Sequence, residues 1–186
     1  MLSRSSRHPL SNLSERAATV VEMFAPIERT ASASIIPDSV DEDVTLAVVG
    51  PPGWGDALGP KADRLGDRVK LVGFVAPRDL PSLYAGAAVM CYPSLVEGYG
   101  LPVAEALGCG APVVTSKGTA TEELVAGGAG LAVDPTDPDA IAGALAEVLD
   151  DDDLADRLRA AGRARAADTP WEVTASMTIA AYREVT

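Results

Sequence analysis

Apolar positions along the chain fall into two rhythms. Over residues 12–25, Leu13, Ala17, Val20, Val21 and Phe24 recur at helical spacing, which predicts an amphipathic helix. Asn12 or Ser14 is placed to cap its start, and Pro26 to end it. Residues 28–42 are mixed and partly acidic and read as a loop. From Val44 onward short apolar runs take over. Runs at 44–49, 69–74, 88–92, 112–115 and 130–133 predict strands, and the stretches 57–65, 80–87, 102–107 and 121–126 predict the helices between them. Three further helices are predicted over 139–149, 154–167 and 171–185. Near-continuous apolar strands are what a parallel sheet buried on both faces requires. The alternation implies βαβ units, hence an α/β domain of three layers with helices on both faces. Ligands of such sheets sit beyond the carboxyl ends of the strands, so the loops after Val49, Phe74, Tyr92 and Thr115 are the candidates. The regular domain is expected over 44–186, preceded by a diverged or truncated segment, 1–43, with one helix.

Composition narrows the function. With 186 residues the chain suits one well-cored domain, and 47% hydrophobic against 4% aromatic residues makes that core aliphatic. A formal net charge of −12 argues against nucleic acid and anionic membrane as partners. Positive potential for any anionic ligand must then come from helix N-termini, backbone amides and a few Arg or Lys. The acidic run Asp150–Asp153 reads as a solvated turn between helices, and Arg157, Arg159, Arg163 and Arg165 as a solvated helix face. Two cysteines, Cys91 and Cys109, sit in apolar contexts and fit a reducing, cytoplasmic location. No apolar run reaches membrane-spanning length, and the N-terminus lacks the apolar segment of a signal peptide. A lone His8 forms no His-based metal site, so no metal is expected.

The most informative stretch runs from Tyr92 to Val114. A buried strand ends at Tyr92, a turn with Gly98 and Gly100 follows, and a helix starts with Pro102 in its first turn, where proline is favoured. The first turn of a helix offers unpaired N–H groups and the positive end of the dipole, and glycine lets a ligand approach them. Such a turn suits a diphosphate. Glu97 and Glu105 flank it and would repel phosphate unless they face hydroxyls, so the pattern suggests a phosphate with a polyol at each end, as in a nucleotide sugar. The loop at Gly50-Pro51-Pro52-Gly53-Trp54-Gly55 lacks the glycine spacing of a dinucleotide-binding turn.

This string resembles the donor-site motif of the family-four retaining glycosyltransferases: Glu97, seven residues, Glu105, with Tyr99-Gly100-Leu101-Pro102 inside. The likeness continues through Gly108-Cys109-Gly110-Ala111-Pro112-Val113-Val114 and Gly127–Pro135, and upstream through Gly50–Gly55 and Val72–Val75. It implies a Rossmann-like domain, one half of a GT-B fold. It also implies roles. Glu97 would contact the donor sugar. Glu105 would bind ribose. Gly98, Tyr99, Gly100 and Leu101 would hold phosphate or sugar, with Gly53 nearby, and Gly73, Phe74 and Val75 would lie against the base. The implied reaction transfers a hexosyl group, of mannosyl or glucosyl type, from a nucleotide-diphosphate sugar to a saccharide or lipid-linked acceptor, with retention. No cofactor or metal is implied; cationic side chains stabilise the leaving diphosphate.

Two departures qualify the resemblance. No acceptor-binding domain is expected in this chain, and the family's phosphate-binding lysine is missing. Aligning Arg7-His8-Pro9-Leu10-Ser11-Asn12 with the family's first turn puts Ser11 at the lysine, reduces the preceding strand to Met1-Leu2, and leaves Arg7 as the substitute cation. The alternative expectation is therefore a catalytically incomplete nucleotide-sugar-binding module that works with a separate acceptor domain or chain. Trp54 is expected near the base or as a lid. Trp171 is expected to pack the last helix back on the domain, and Lys117 to be a solvated loop residue or a phosphate contact.

Overall fold

The computed structural model describes residues 19–23, 44–50, 66–168 and 170–184. Within them six strands form one sheet: β1 (Thr19–Met23), β2 (Thr45–Val49), β3 (Val69–Gly73), β4 (Val89–Tyr92), β5 (Val113–Ser116) and β6 (Leu131–Val133). Their order is β3-β2-β1-β4-β5-β6, and every pairing is parallel. This is the strand order of a Rossmann fold, with its topological switch point between β1 and β4. The helices are α1 (Leu80–Gly86), α2 (Leu101–Cys109), α3 (Ala120–Leu124), α4 (Pro138–Asp150), α5 (Asp152–Ala167) and α6 (Trp171–Glu184).

Strand alternation sorts the core into two layers. Leu46, Val48, Val89, Cys91 and Val114 pack with Ile141, Leu145 and Val148 of α4 and with Ala155 and Leu158 of α5. Their neighbours point the other way. Met90, Tyr92 and Val113 meet Tyr84 of α1 and Val103, Ala106 and Leu107 of α2, while Ala47 and Val49 meet Leu83 and Ala87. Helices therefore cover both faces, which is why the strands read as apolar runs.

The N-terminal reading requires correction. Residues 19–23, expected within a helix over 12–25, form β1, hydrogen-bonded to β2 on one side and β4 on the other. Thr19, Val20 and Val21 are β-branched and stiff at χ1, which disfavours helix and suits a strand. A boundary at residue 43 would cut through this sheet, so residues 19–23 belong to the same domain. The expected strand at Met1-Leu2 and helix at 57–65 lie outside the described residues.

Two surface expectations change, while the acidic run is the exposed junction between α4 and α5. Asp151 is the N-cap of α5, its carboxylate accepting from the Leu154 N–H at 2.8 Å, and Asp152 and Asp153 occupy the first turn, where the dipole favours acid. Arg159 and Arg165 are not purely solvated, since they donate to the Gly110 and Glu123 carbonyls. Trp171 does not pack back on the domain: it is 71% exposed, and every described residue of α6 is exposed.

Leu46 of β2 is fully buried, so Leu46→Ala should lower the unfolding free energy by about 2–5 kcal/mol in urea titration. A loss well under about 1 kcal/mol would contradict this core assignment.

Candidate donor site

The loop from β4 to α2 leaves the sheet beside the switch point, and its shape comes from one close approach. Gly100 caps α2 with φ 92° and ψ 53°, in the left-handed region that glycine enters without strain. It is buried, and a Cβ there would overlap Thr121 Cγ2. Gly98 differs: space around it is open, so its missing side chain clears an approach rather than relieving a clash.

Thr121 is itself fixed. It is fully buried, and its hydroxyl lies 2.7 Å from that of Thr115, 2.8 Å from that of Thr119 and 3.4 Å from the Ser116 carbonyl. Thr115 also reaches the Tyr92 carbonyl at 3.1 Å, tying the ends of β4 and β5 together. Thr119 caps α3 by accepting from the Thr121 N–H. This hydroxyl cluster was not picked out from sequence. The run Thr115-Ser116 followed by Thr119 and Thr121 was its only signal.

The other end of α2 is held by α5. Gly110, at φ 77°, is the C-cap, and Arg159 donates to its carbonyl at 3.2 Å, a cation at the negative end of the helix. Gly162 of α5 lets Leu107 approach closely, since a Cβ there would stand 3.0 Å from Leu107 Cδ2. With both ends clamped, α2 presents its first turn at the sheet's carboxyl edge. No side chain caps that turn, and Pro102 has no N–H to be satisfied.

The two glutamates occupy different surroundings. Glu97 is half-buried and lines a cleft of about 600 Å³ with Leu95, Val96, Thr119, Glu122 and Glu123. Glu105 does not line that cleft and is exposed on α2. Each accepts a tyrosine hydroxyl: Tyr92 Oη donates to Glu97 Oε2 at 2.8 Å, and Tyr84 Oη to Glu105 Oε2 at 3.2 Å. Burial raises both phenols well above their ordinary range. The Glu105 charge adds to it for Tyr84, and the Glu97 hydrogen bond for Tyr92. Burial, then Glu105, also raises the Cys109 thiol.

The remaining predicted residues divide. Tyr99 and Leu101 are exposed beside the turn. Gly73, at φ 70°, ends β3, and its carbonyl accepts from Gly50 N–H at 2.9 Å. Phe74 is 79% exposed, but Val75 turns its side chain into the core against Ala47, Val49 and Leu83. Val75 therefore has no side chain to offer a base. Lys117 lies near Asp134, whose carboxyl is lowered mainly by Thr136 and also by that lysine. Arg7, Gly53 and Trp54 lie outside the described residues.

The family described as glycosyl transferases group 1 matches residues 27–165. This chain belongs to that family. The glycosyltransferase chain is 41% identical over 141 residues to O-antigen chain mannosyltransferase B of Escherichia coli, covering 74% of this chain and 37% of that protein. It is 37% identical over 159 residues to D-inositol 3-phosphate glycosyltransferase of Kribbella flavida, covering 81% of this chain and 37% of that one. The crystal structure of Anabaena HepE in complex with UDP and glucose superposes with a TM-score of 0.75 at 26% identity, over 91% of this chain and 49% of that one. The chain thus spans well under half the length of both enzymes it resembles in sequence. Its fold is Rossmann-like, one half of the GT-B fold. Among the described residues no helix is long and apolar enough to cross a membrane.

Gly100→Ala should destabilise the chain by roughly 1–3 kcal/mol, from the left-handed backbone and the overlap with Thr121, measured as a lowered midpoint in urea. A wild-type midpoint would show that the turn tolerates a Cβ. The raised phenols set a second expectation. Folded tyrosines that hold their protons more tightly than unfolded ones contribute stability that is complete below about pH 10 and is lost as pH rises above it. Urea midpoints of the Tyr84→Phe/Tyr92→Phe double variant should fall less steeply above pH 10 than those of the wild type.

Proposed function

We propose that this chain is the donor-binding half of a retaining hexosyltransferase. It takes a nucleotide-diphosphate sugar and passes a mannosyl- or glucosyl-type residue to a saccharide or lipid-linked acceptor. The observation that carries the reading is the left-handed Gly100 turn, which aims the first turn of α2 at the carboxyl edge of the sheet between two hydroxyl-seeking carboxylates. In this reading the amides around Gly98, Tyr99, Gly100 and Leu101 hold the diphosphate. Glu97 accepts from the donor sugar, and Glu105 accepts from ribose. Gly73 and exposed Phe74 meet the base. They stand three strands away from β4 in the sheet, roughly 14 Å, a span an extended nucleoside diphosphate bridges. The UDP and glucose bound to HepE, and the mannosyl and glycosyl activities named for the relatives, support the ligand class.

Catalysis in this reading is electrostatic, through groups aimed at the charge that develops on the leaving diphosphate. No metal or cofactor is assigned to the site. The cation in this reading is Arg7, the candidate raised by the sequence. A cytoplasmic location accords with two free cysteines.

A second reading keeps the same site and drops turnover by the chain alone. Phe74 after β3, and Val96, Tyr99 and Leu101 after β4, are exposed apolar residues beyond the carboxyl ends of the strands. Such residues suit a separate acceptor-binding domain or chain that closes over the donor.

Calorimetric titration with UDP-glucose, GDP-mannose, UDP and GDP tests the proposal. At least one pair should bind saturably, and Glu105→Gln should weaken it about tenfold or more, as for a lost hydrogen bond to a charged group. Arg7→Ala should weaken binding of the diphosphates. Silence with all four probes would sink both readings. Retention is read from the anomeric signal of the product by NMR.

A further inference from the structure

The two candidate carboxylates share a feature that packing does not explain. Tyr84 and Tyr92 lie in one apolar layer with Met90, Val103 and Leu107, 1% and 5% exposed. Phenylalanine would fill the same space. Yet each ring carries a hydroxyl, and each hydroxyl ends on a carboxylate of the donor motif. Tyr92, the last residue of β4, reaches Glu97 five residues on, and Tyr84 of α1 reaches Glu105 across 21 residues. A buried hydroxyl needs a partner, and here both partners stand at the site.

In each pair the phenol meets Oε2, and a carboxylate has a second oxygen with which to accept another hydrogen bond. A glutamate on an open loop or helix face otherwise samples many rotamers, all but a few of which point its oxygens away from a bound polyol. A donor anchored in the core removes that freedom before the ligand arrives. The phenols are suited to this, since burial and the adjacent acids keep them protonated.

We propose that Tyr92 and Tyr84 are positioning residues of the donor site, Tyr92 presetting Glu97 for the sugar and Tyr84 presetting Glu105 for the nucleoside. This rests on the donor-binding reading above. The split between sugar and nucleoside is taken from that reading; Glu97 lines the cleft and Glu105 does not.

Selectivity between probes tests the assignment on the full chain. The wild type is first titrated with UDP, GDP, UDP-glucose and GDP-mannose; if it binds none, the donor-binding reading fails and not this pairing. Where it binds, Tyr92→Phe should weaken the sugar nucleotide about tenfold and leave the free diphosphate within about twofold. Tyr84→Phe should weaken both alike. In a Glu97→Ala background, Tyr92→Phe should cost nothing further, because its acceptor is gone. Wild-type affinities in both single variants, or equal losses on every probe in both, would overturn the proposal. So would a full Tyr92→Phe effect in the Glu97→Ala background. Should Tyr92→Phe not fold, ultraviolet titration replaces it: Glu97→Ala should bring the Tyr92 ionisation down toward its ordinary range, and an unmoved ionisation overturns the pairing.

Discussion

Most of the site's geometry follows from the contact between Gly100 and Thr121. The backbone arriving from β4 passes against the Thr121 methyl so closely that no Cβ fits, and it turns there with positive φ. Thr121 cannot yield, because its hydroxyl is engaged with Thr115, Thr119 and the Ser116 carbonyl in a fully buried position. The turn is therefore fixed relative to β5 and α3, not merely to its own strand. Everything carried by that turn inherits the constraint. Glu97 lies three residues before Gly100 and Glu105 five residues after it, so the same pivot sets the bearing of both. Arg159 on the Gly110 carbonyl and Gly162 against Leu107 then hold α2 from behind.

How far the sequence disclosed this arrangement depended on the range of the interactions involved. The runs that became β2, β4 and β5 were legible because burial on both faces leaves an uninterrupted apolar signature. The turn at Gly98–Pro102 was legible because glycine and helix-start proline act locally. β1 was misread. Its five residues are too few to show a period of two, and the apolar residues around it happened to fall at helical intervals. The decision was made by β2 and β4, between which it is hydrogen-bonded, and no local pattern encodes that.

The same distinction applies to side chains. Gly73, Phe74 and Val75 formed one expected group, yet Phe74 faces solvent and Val75 the core. Adjacent strand-end residues point opposite ways, and sequence alone does not say which way is in. The arginines of α5 read as solvated because helical spacing shows a polar face. It does not show that Gly110 and Glu123 carbonyls wait opposite it. The tyrosines were silent for the related reason that an aromatic ring announces packing, while its hydroxyl acts over one hydrogen bond whose partner lies anywhere in the chain.

A net charge of −12 is a poor guide to the field at any one turn of this chain. Much of the acid answers local demands. Asp137 and Asp151 cap α4 and α5, Glu122 accepts from the Gly118 N–H, and Asp134 from Thr136. These carboxylates face positive backbone ends, and what field remains is screened over about 8 Å at physiological salt. The helix-terminal field acts over the first turn only. The field at the start of α2 is therefore set by groups within one turn of Gly100, where Glu97 and, further along the helix, Glu105 are each turned toward a phenol. Local orientation, and not the total charge, therefore sets the field at that turn.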